Sequence, residues 1–86
     1  MEYQWDQAKA AANLKKHGVA FSDAALALED PRALTIADPD AIDESRYICL
    51  GGDPNGRILA PRGRAIRIIS SRKASRSERR PYEKVR

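Results

Sequence analysis

The apolar residues of this chain change their period at Pro31, and that change constrains the fold more than any other feature. Upstream, Ala8, Ala11, Ala12 and Leu14 recur at helical spacing among Lys9, Lys15 and Lys16, which predicts a helix over residues 7–17 with an inner face of small residues. Asp6 is placed to cap that helix and Gly18 to stop it. Phe21, Ser22 and Leu26 then fall at the N′, N-cap and N4 positions of a second helix, which Asp30 and Pro31 end. The short connection makes the pair an αα-hairpin.

Downstream, β-branched and aromatic runs separated by turn residues predict an antiparallel meander. Strands are expected at residues 33–36, 45–50, 57–60 and 64–70, with an acidic loop of Asp38, Asp40, Asp43 and Glu44 between the first two. Residues 51–56 read as a turn, and Arg62 and Gly63 lie between the last two strands. Pro61 is expected to end its strand, because proline in sheets is confined to edges, strand starts and bulges. Alternation sends Ile66 and Ile68 to one face of the final strand, Arg67 and Ile69 to the other. Ser75 and Glu78 have capping-box spacing for a terminal helix. Pro81 would cost about 3 kcal/mol inside it, so a single turn followed by a kink or fraying is expected. With a short extended start over residues 2–5, the order β-α-α-β-β-β-α gives an α+β fold. Its two N-terminal helices pack on a small antiparallel sheet of three to four strands, and a short C-terminal helix follows.

At 86 residues the chain has room for one core, so residues 1–86 are expected to form a single domain. A core of this size supplies roughly 3–5 kcal/mol, which leaves a role for a partner or a homodimer contact. Cys49 is the only cysteine, reads as a packing residue, and fits a reducing compartment. The first residues lack the basic and apolar regions of a signal peptide, and no run approaches the roughly 18 apolar residues of a membrane span. A cytoplasmic protein without membrane contact is expected. The acidic loop lacks the spacing and glycine of a calcium loop, so neither metal nor cofactor is expected.

Charge is segregated along the chain. Residues 1–55 carry 5 Lys/Arg against 10 Asp/Glu, a formal −5, and residues 56–86 carry 11 against 2, a formal +9. Such a basic segment suits an anionic partner, with nucleic acid first and an acidic protein segment second; a plain solvated surface is the alternative. A helix-turn-helix with an obvious recognition helix is absent from the pattern, which argues against a DNA-binding accessory protein.

Several clusters stand in one order: Trp5, Asp6 and Lys9; Asn13, Lys16, His17, Gly18, Val19 and Phe21; Asp30 and Pro31; then Arg67, Ile68, Ile69, Ser70, Arg72, Ala74, Glu78, Arg79 and Tyr82. Together they resemble the BrnT family, the RelE-like toxins of BrnT/BrnA type II toxin–antitoxin pairs. The resemblance spans nearly the whole chain, and its most specific part is the N-terminal string of WD, K, N and KHGV-x-F. It implies helices on one side of a curved antiparallel sheet, ribonuclease activity that inhibits growth, and neutralisation by a BrnA-like ribbon-helix-helix antitoxin, through which alone the pair would reach operator DNA. Two departures bear on activity: the stretch from Leu59 to Arg64 is shorter than the family's hairpin, and Pro81 interrupts the E-R-x-x-Y segment. They leave open a weakened or inactive homologue that binds an antitoxin or nucleic acid without cutting.

Cutting single-stranded RNA without a metal needs a base for the 2′-hydroxyl, an acid for the leaving oxygen and cations on the charged transition state. Arg67 and Arg72 are the candidate phosphate clamp, since guanidinium forks bind phosphate bidentately and never lose their charge. His17 is the only histidine and so the first candidate for proton transfer, although its place in the last helical turn also suits the helix C-terminus. Glu78 is a second candidate base with a competing capping role. Lys16, Lys73, Arg76 and Arg79 are candidate RNA contacts, and Tyr82 either stacks on a base or packs as a terminal aromatic. Trp5 reads as core.

Overall fold

A computed structural model describes residues 2–37 and 46–84, so the acidic loop lies outside the described residues. The order is α1 (Gln7–His17), α2 (Phe21–Leu28), β1 (Leu34–Ala37), β2 (Arg46–Gly52), β3 (Ile58–Arg64), β4 (Arg67–Lys73) and α3 (Arg76–Lys84). The strands form one antiparallel sheet in the order β1-β2-β3-β4. The extended start contributes one parallel bridge, Gln4 to Arg67.

Helix α1 follows from its ends. Asp6 Oδ1 accepts from the backbone N–H of Ala8 at 2.8 Å and Lys9 at 3.1 Å. Gly18 takes the left-handed conformation, φ 69°, and its N–H bonds Leu14 O at 2.8 Å. Its inner face differs from the expected one: Ala8, Ala11, Ala12 and Leu14 are exposed, and Asn13 is the buried residue. Nδ2 of Asn13 donates to Val19 O at 3.0 Å and Ser71 O at 2.8 Å, while its Oδ1 accepts from Ser71 N at 3.1 Å. An amide satisfied on both sides can line an interior, which apolar periodicity does not reveal.

Helix α2 starts two residues before the expected position, with Ala20 rather than Ser22 at the N-cap and no side-chain cap. The anticipated staple does not form. Leu26 is 51 % exposed, whereas Phe21 is buried, stacks edge-on with Trp5 at 6.0 Å, and packs with Ala24 on Ile68. Helix α2 lies directly on β2: a Cβ on Gly51 would sit 2.0 Å from Ala27 O, so only glycine allows the approach.

Strand β3 overturns the expectation at Pro61, which is fully buried inside an inner strand. The register with β2 runs from Arg46↔Arg64 to Ile48↔Arg62 and resumes at Gly51↔Leu59, so the pairing lapses opposite Cys49 and Leu50, beside the residue that has no N–H to give. Pairing with β4 continues through Pro61↔Ser71. The strand therefore reaches Arg64, and the hairpin turn is Ala65 and Ile66, with Ala65 at φ 51° and its carbonyl held by Tyr47 OH at 3.0 Å. Ile66 is a turn residue, 38 % exposed, and does not share Ile68's buried face.

Both faces of the sheet are covered. Leu59 packs with Val19 and Ala27 below the helical hairpin, while its neighbour Ala60 packs with Ile48, Leu50 and Tyr82 of α3. Successive strand residues point to opposite faces, so α3 lies across the sheet from α1 and α2 and the helices are not confined to one side. Helix α3 continues past Pro81 instead of fraying after one turn. The next residue, Tyr82, is 8 % exposed and donates its hydroxyl proton to Asp30 Oδ2, an anchor that holds the last turn despite the proline.

Candidate active site

Lys9, Ala12, Asn13, Lys16 and His17 fall at i, i+3, i+4, i+7 and i+8, one face of α1. With Ile69 and Ser70 of β4 they line a groove of about 220 Å³. Asn13 fixes the groove's geometry, because its three hydrogen bonds tie α1 and the following turn to Ser71. The outer edge of β4 is thereby occupied by Asn13 at Ser71 and by Gln4 at Ile66 and Ile68, with bonds of 3.0 and 2.8 Å. Between these anchors β4 bulges. Gly63 pairs with Ile68 and Arg62 with Ser70, which leaves Ile69 as the extra residue. Bulges beside sites re-aim side chains, and here Ile69 and Ser70 also border a second cleft of about 50 Å³, lined by Arg46, Arg62 and Gly63.

The remaining candidates separate from this groove. Arg72 and Glu78 form a bidentate pair, Nη1 to Oε1 at 2.7 Å and Nη2 to Oε2 at 2.9 Å. Glu78 also completes the capping box, accepting from Ser75 N at 2.8 Å while its own N–H bonds Ser75 Oγ at 3.2 Å. Arg72 above all, against the opposing effect of burial, holds the Glu78 carboxyl down at about 2 from an ordinary 4.5. An acceptor that weak does not suit a general base, and the Arg72 fork is already occupied. Arg67 and Arg72 are five residues apart on β4, roughly 16 Å at ordinary strand rise, so their backbones do not converge on one phosphate. Arg67 lies near enough to Asp6 to add to the backbone bonds that lower that carboxyl.

Lys73 and Arg79 line a different groove, of about 550 Å³, with Arg57, Ile58 and Glu83. Arg76 is exposed at the start of α3. Tyr82 is a core residue, so its ring is not presented to a base. Burial alone would raise the pKa of Asp30, but bonds from Tyr82 OH and the backbone of Arg32 and Gly52 outweigh it and keep the carboxyl low. Arg57 is structural too. It bonds Asp53 at 2.8 Å, Asp23 at 3.2 Å and Gly18 O at 3.1 Å, joining the β2–β3 turn to the helical hairpin. Among the described residues no group of three or more His, Cys, Asp and Glu is arranged to hold a metal ion. No described helix is long and apolar enough to cross a membrane.

Sequence reasoning missed Lys9 and Ser70 as groove residues, and Arg46 and Arg62 beside them. Helical spacing, which puts Lys9 on one face with Lys16 and His17, is the signal for the first; strand register collects Ser70, Arg46 and Arg62, and the expectation that Pro61 ends β3 hides that register.

The three-helix, four-strand α+β fold is similar to that of a ribonuclease toxin with a solved structure. The crystal structure of the Brucella abortus ribonuclease toxin BrnT superposes with a TM-score of 0.67 at 25 % identity, covering 88 % of this chain and 99 % of that one. Residues 5–78 match the family of the ribonuclease toxin BrnT of type II toxin–antitoxin systems, and the chain belongs to that family. A search of curated proteins finds no match. The matched region ends at Glu78, so Pro81 and Tyr82 lie beyond it. Membership in a type II system implies an antitoxin partner.

Proposed function

We propose that this toxin cleaves single-stranded RNA without a metal in the groove between α1 and β4, and that a BrnA-like ribbon-helix-helix antitoxin neutralises it in the cytoplasm. One observation carries this reading: the only histidine shares a groove with Lys9 and Lys16 against Ser70. His17 moves a proton between the 2′-hydroxyl and the leaving oxygen, and the two ammonium groups stabilise charge on the phosphorane-like transition state. Ser70 offers a hydroxyl able to give or take a hydrogen bond. Arg67, at the start of the same strand, is a phosphate contact. Strand β3 continues through Pro61 to Arg64, so the strand pairing does not favour the non-catalytic alternative.

The test is incubation of RNA with the wild-type chain and His17→Gln in excess EDTA, reading the ends of the products. Cleavage by the wild type to 2′,3′-cyclic phosphate ends, lost in His17→Gln, supports the mechanism. A requirement for a divalent ion, or equal cleavage by the variant, overturns it.

A further inference from the structure

The groove of Lys73 and Arg79, about 550 Å³, opens between the start of β3, the end of β4 and α3, and shares no lining residue with the His17 groove. Ile58 and Ala74 form its floor. Both are half-buried, pack against the core, and are joined by a bond from Ala74 N to Ile58 O at 2.9 Å. Arg57, also in the lining, is fixed by Asp53, Asp23 and Gly18 O. The rim is exposed and consists of Lys73, Arg79 and Glu83. Among the described residues the side chains of Lys73 and Arg79 make no hydrogen bond or ion pair, which leaves two cations available to a ligand.

Three features together describe the occupant. The two available cations call for an anionic group. The apolar floor suits a chain that carries methylene groups as well as charge. Glu83 disfavours a nucleic-acid backbone, which brings a phosphate with every nucleotide, and suits a peptide, whose backbone N–H can donate to a carboxylate. We infer that this groove docks a short acidic segment of the antitoxin, with its carboxylates on Lys73 and Arg79 and a backbone N–H on Glu83. The groove is built before any partner arrives, because Arg79 and Glu83 ride on a helix held by the Ser75–Glu78 capping box and by Tyr82 on Asp30, and Lys73 belongs to a paired strand. The cost of ordering then falls mainly on the incoming segment. This inference rests on the reading that an antitoxin neutralises the chain, and adds where the two meet and by what chemistry.

The experiment follows backbone amide shifts by NMR while the protein is titrated with end-blocked hexaglutamate or, separately, with a heptauridylate of equal charge whose 2′-O-methyl riboses bar cleavage. Hexaglutamate is expected to move the amides of Ile58, Ala74 and Arg79 more than those of Lys9 and Lys16. Lys73→Gln/Arg79→Gln is expected to weaken it about fivefold or more, and the charge-matched Arg80→Gln/Lys84→Gln, on exposed positions of α3 outside the groove, to change it by less than about twofold. Hexaglutamate shifts centred on α1, equal weakening by both double variants, or heptauridylate displacing the peptide from the groove would overturn the docking surface. The antitoxin of the same system, titrated against the two double variants, is expected to lose affinity only for Lys73→Gln/Arg79→Gln. Equal affinity for both would overturn the surface and leave neutralisation standing, whereas failure of the antitoxin to bind the wild type would overturn both.

Discussion

The two ends of β4 treat charge in opposite ways. At the Arg72 end three polar groups pair within their own chain: Arg72 with Glu78, Arg57 with Asp53 and Asp23, and Tyr82 with Asp30. At the Arg67 end arginines stand opposite arginines, and the groove beside the bulge gathers two lysines and a histidine. Charges matched within the chain hold α3 and the helical hairpin on the sheet. The cations of the α1–β4 groove, Lys9, Lys16 and His17, gather on one helix face and suit an anionic partner. Net charge by segment does not separate these cases, since both ends belong to the basic third.

The comparison breaks first if the Arg72 end is not structural. Tyr82→Ala removes an aromatic side chain from the core and leaves Asp30 without its hydroxyl donor, and is expected to cost about 3–5 kcal/mol in urea unfolding. A loss below about 1 kcal/mol would return Tyr82 to the surface as a nucleic-acid contact. Asn13→Ala sits at the boundary between the two ends. It strands the backbone groups of Ser71 and Val19 and is expected to cost about 2–3 kcal/mol, with the groove's RNA cleavage falling further than the loss of folded protein explains.

How far the sequence discloses this division depends on the range of the interactions. Helix α1 is legible to the residue because Asp6 and Gly18 act locally, and the Ser75–Glu78 capping box is legible for the same reason. The α+β architecture follows from the change of period at Pro31. Strand β3 is misread, since a proline buried inside a sheet is tolerated only where the neighbouring ladder lapses, and that lapse is set by long-range register. The same gap hides the register that sets Arg46 of β2 opposite Arg64 of β3, residues distant in sequence and adjacent only through pairing. Asn13 and Tyr82 share another cause: each looks polar or terminal until its partner, Ser71 or Asp30, is brought to it from 58 or 52 residues away. His17 and Lys16 were recoverable from α1's face, but Ser70 opposite them was not.

A smaller effect sharpens the comparison through pH. Glu78 titrates near 2 in the folded chain and near 4.5 otherwise, so its contribution to stability is complete above about pH 4.5 and disappears as pH falls towards 2. Because Arg72 is 38 % exposed, screening limits the contribution to about 1 kcal/mol. Melting of the wild type against Glu78→Gln is expected to show that gap at pH 6 and its closure by pH 2; a gap independent of pH would contradict the pairing. Smallest of all, Ala65→Gly relieves a left-handed turn residue and is expected to stabilise the hairpin by about 0.5–1 kcal/mol, read as a higher urea midpoint.

The most direct measurement compares RNA cleavage rates of His17→Gln and Glu78→Gln, each normalised to its folded fraction. A proton-transfer residue in the groove predicts a drop of at least about a hundredfold for the first variant and a rate within a few-fold of wild type for the second. The reverse order, with Glu78→Gln inactive and His17→Gln unimpaired, would contradict the assignment of catalysis to the α1–β4 groove.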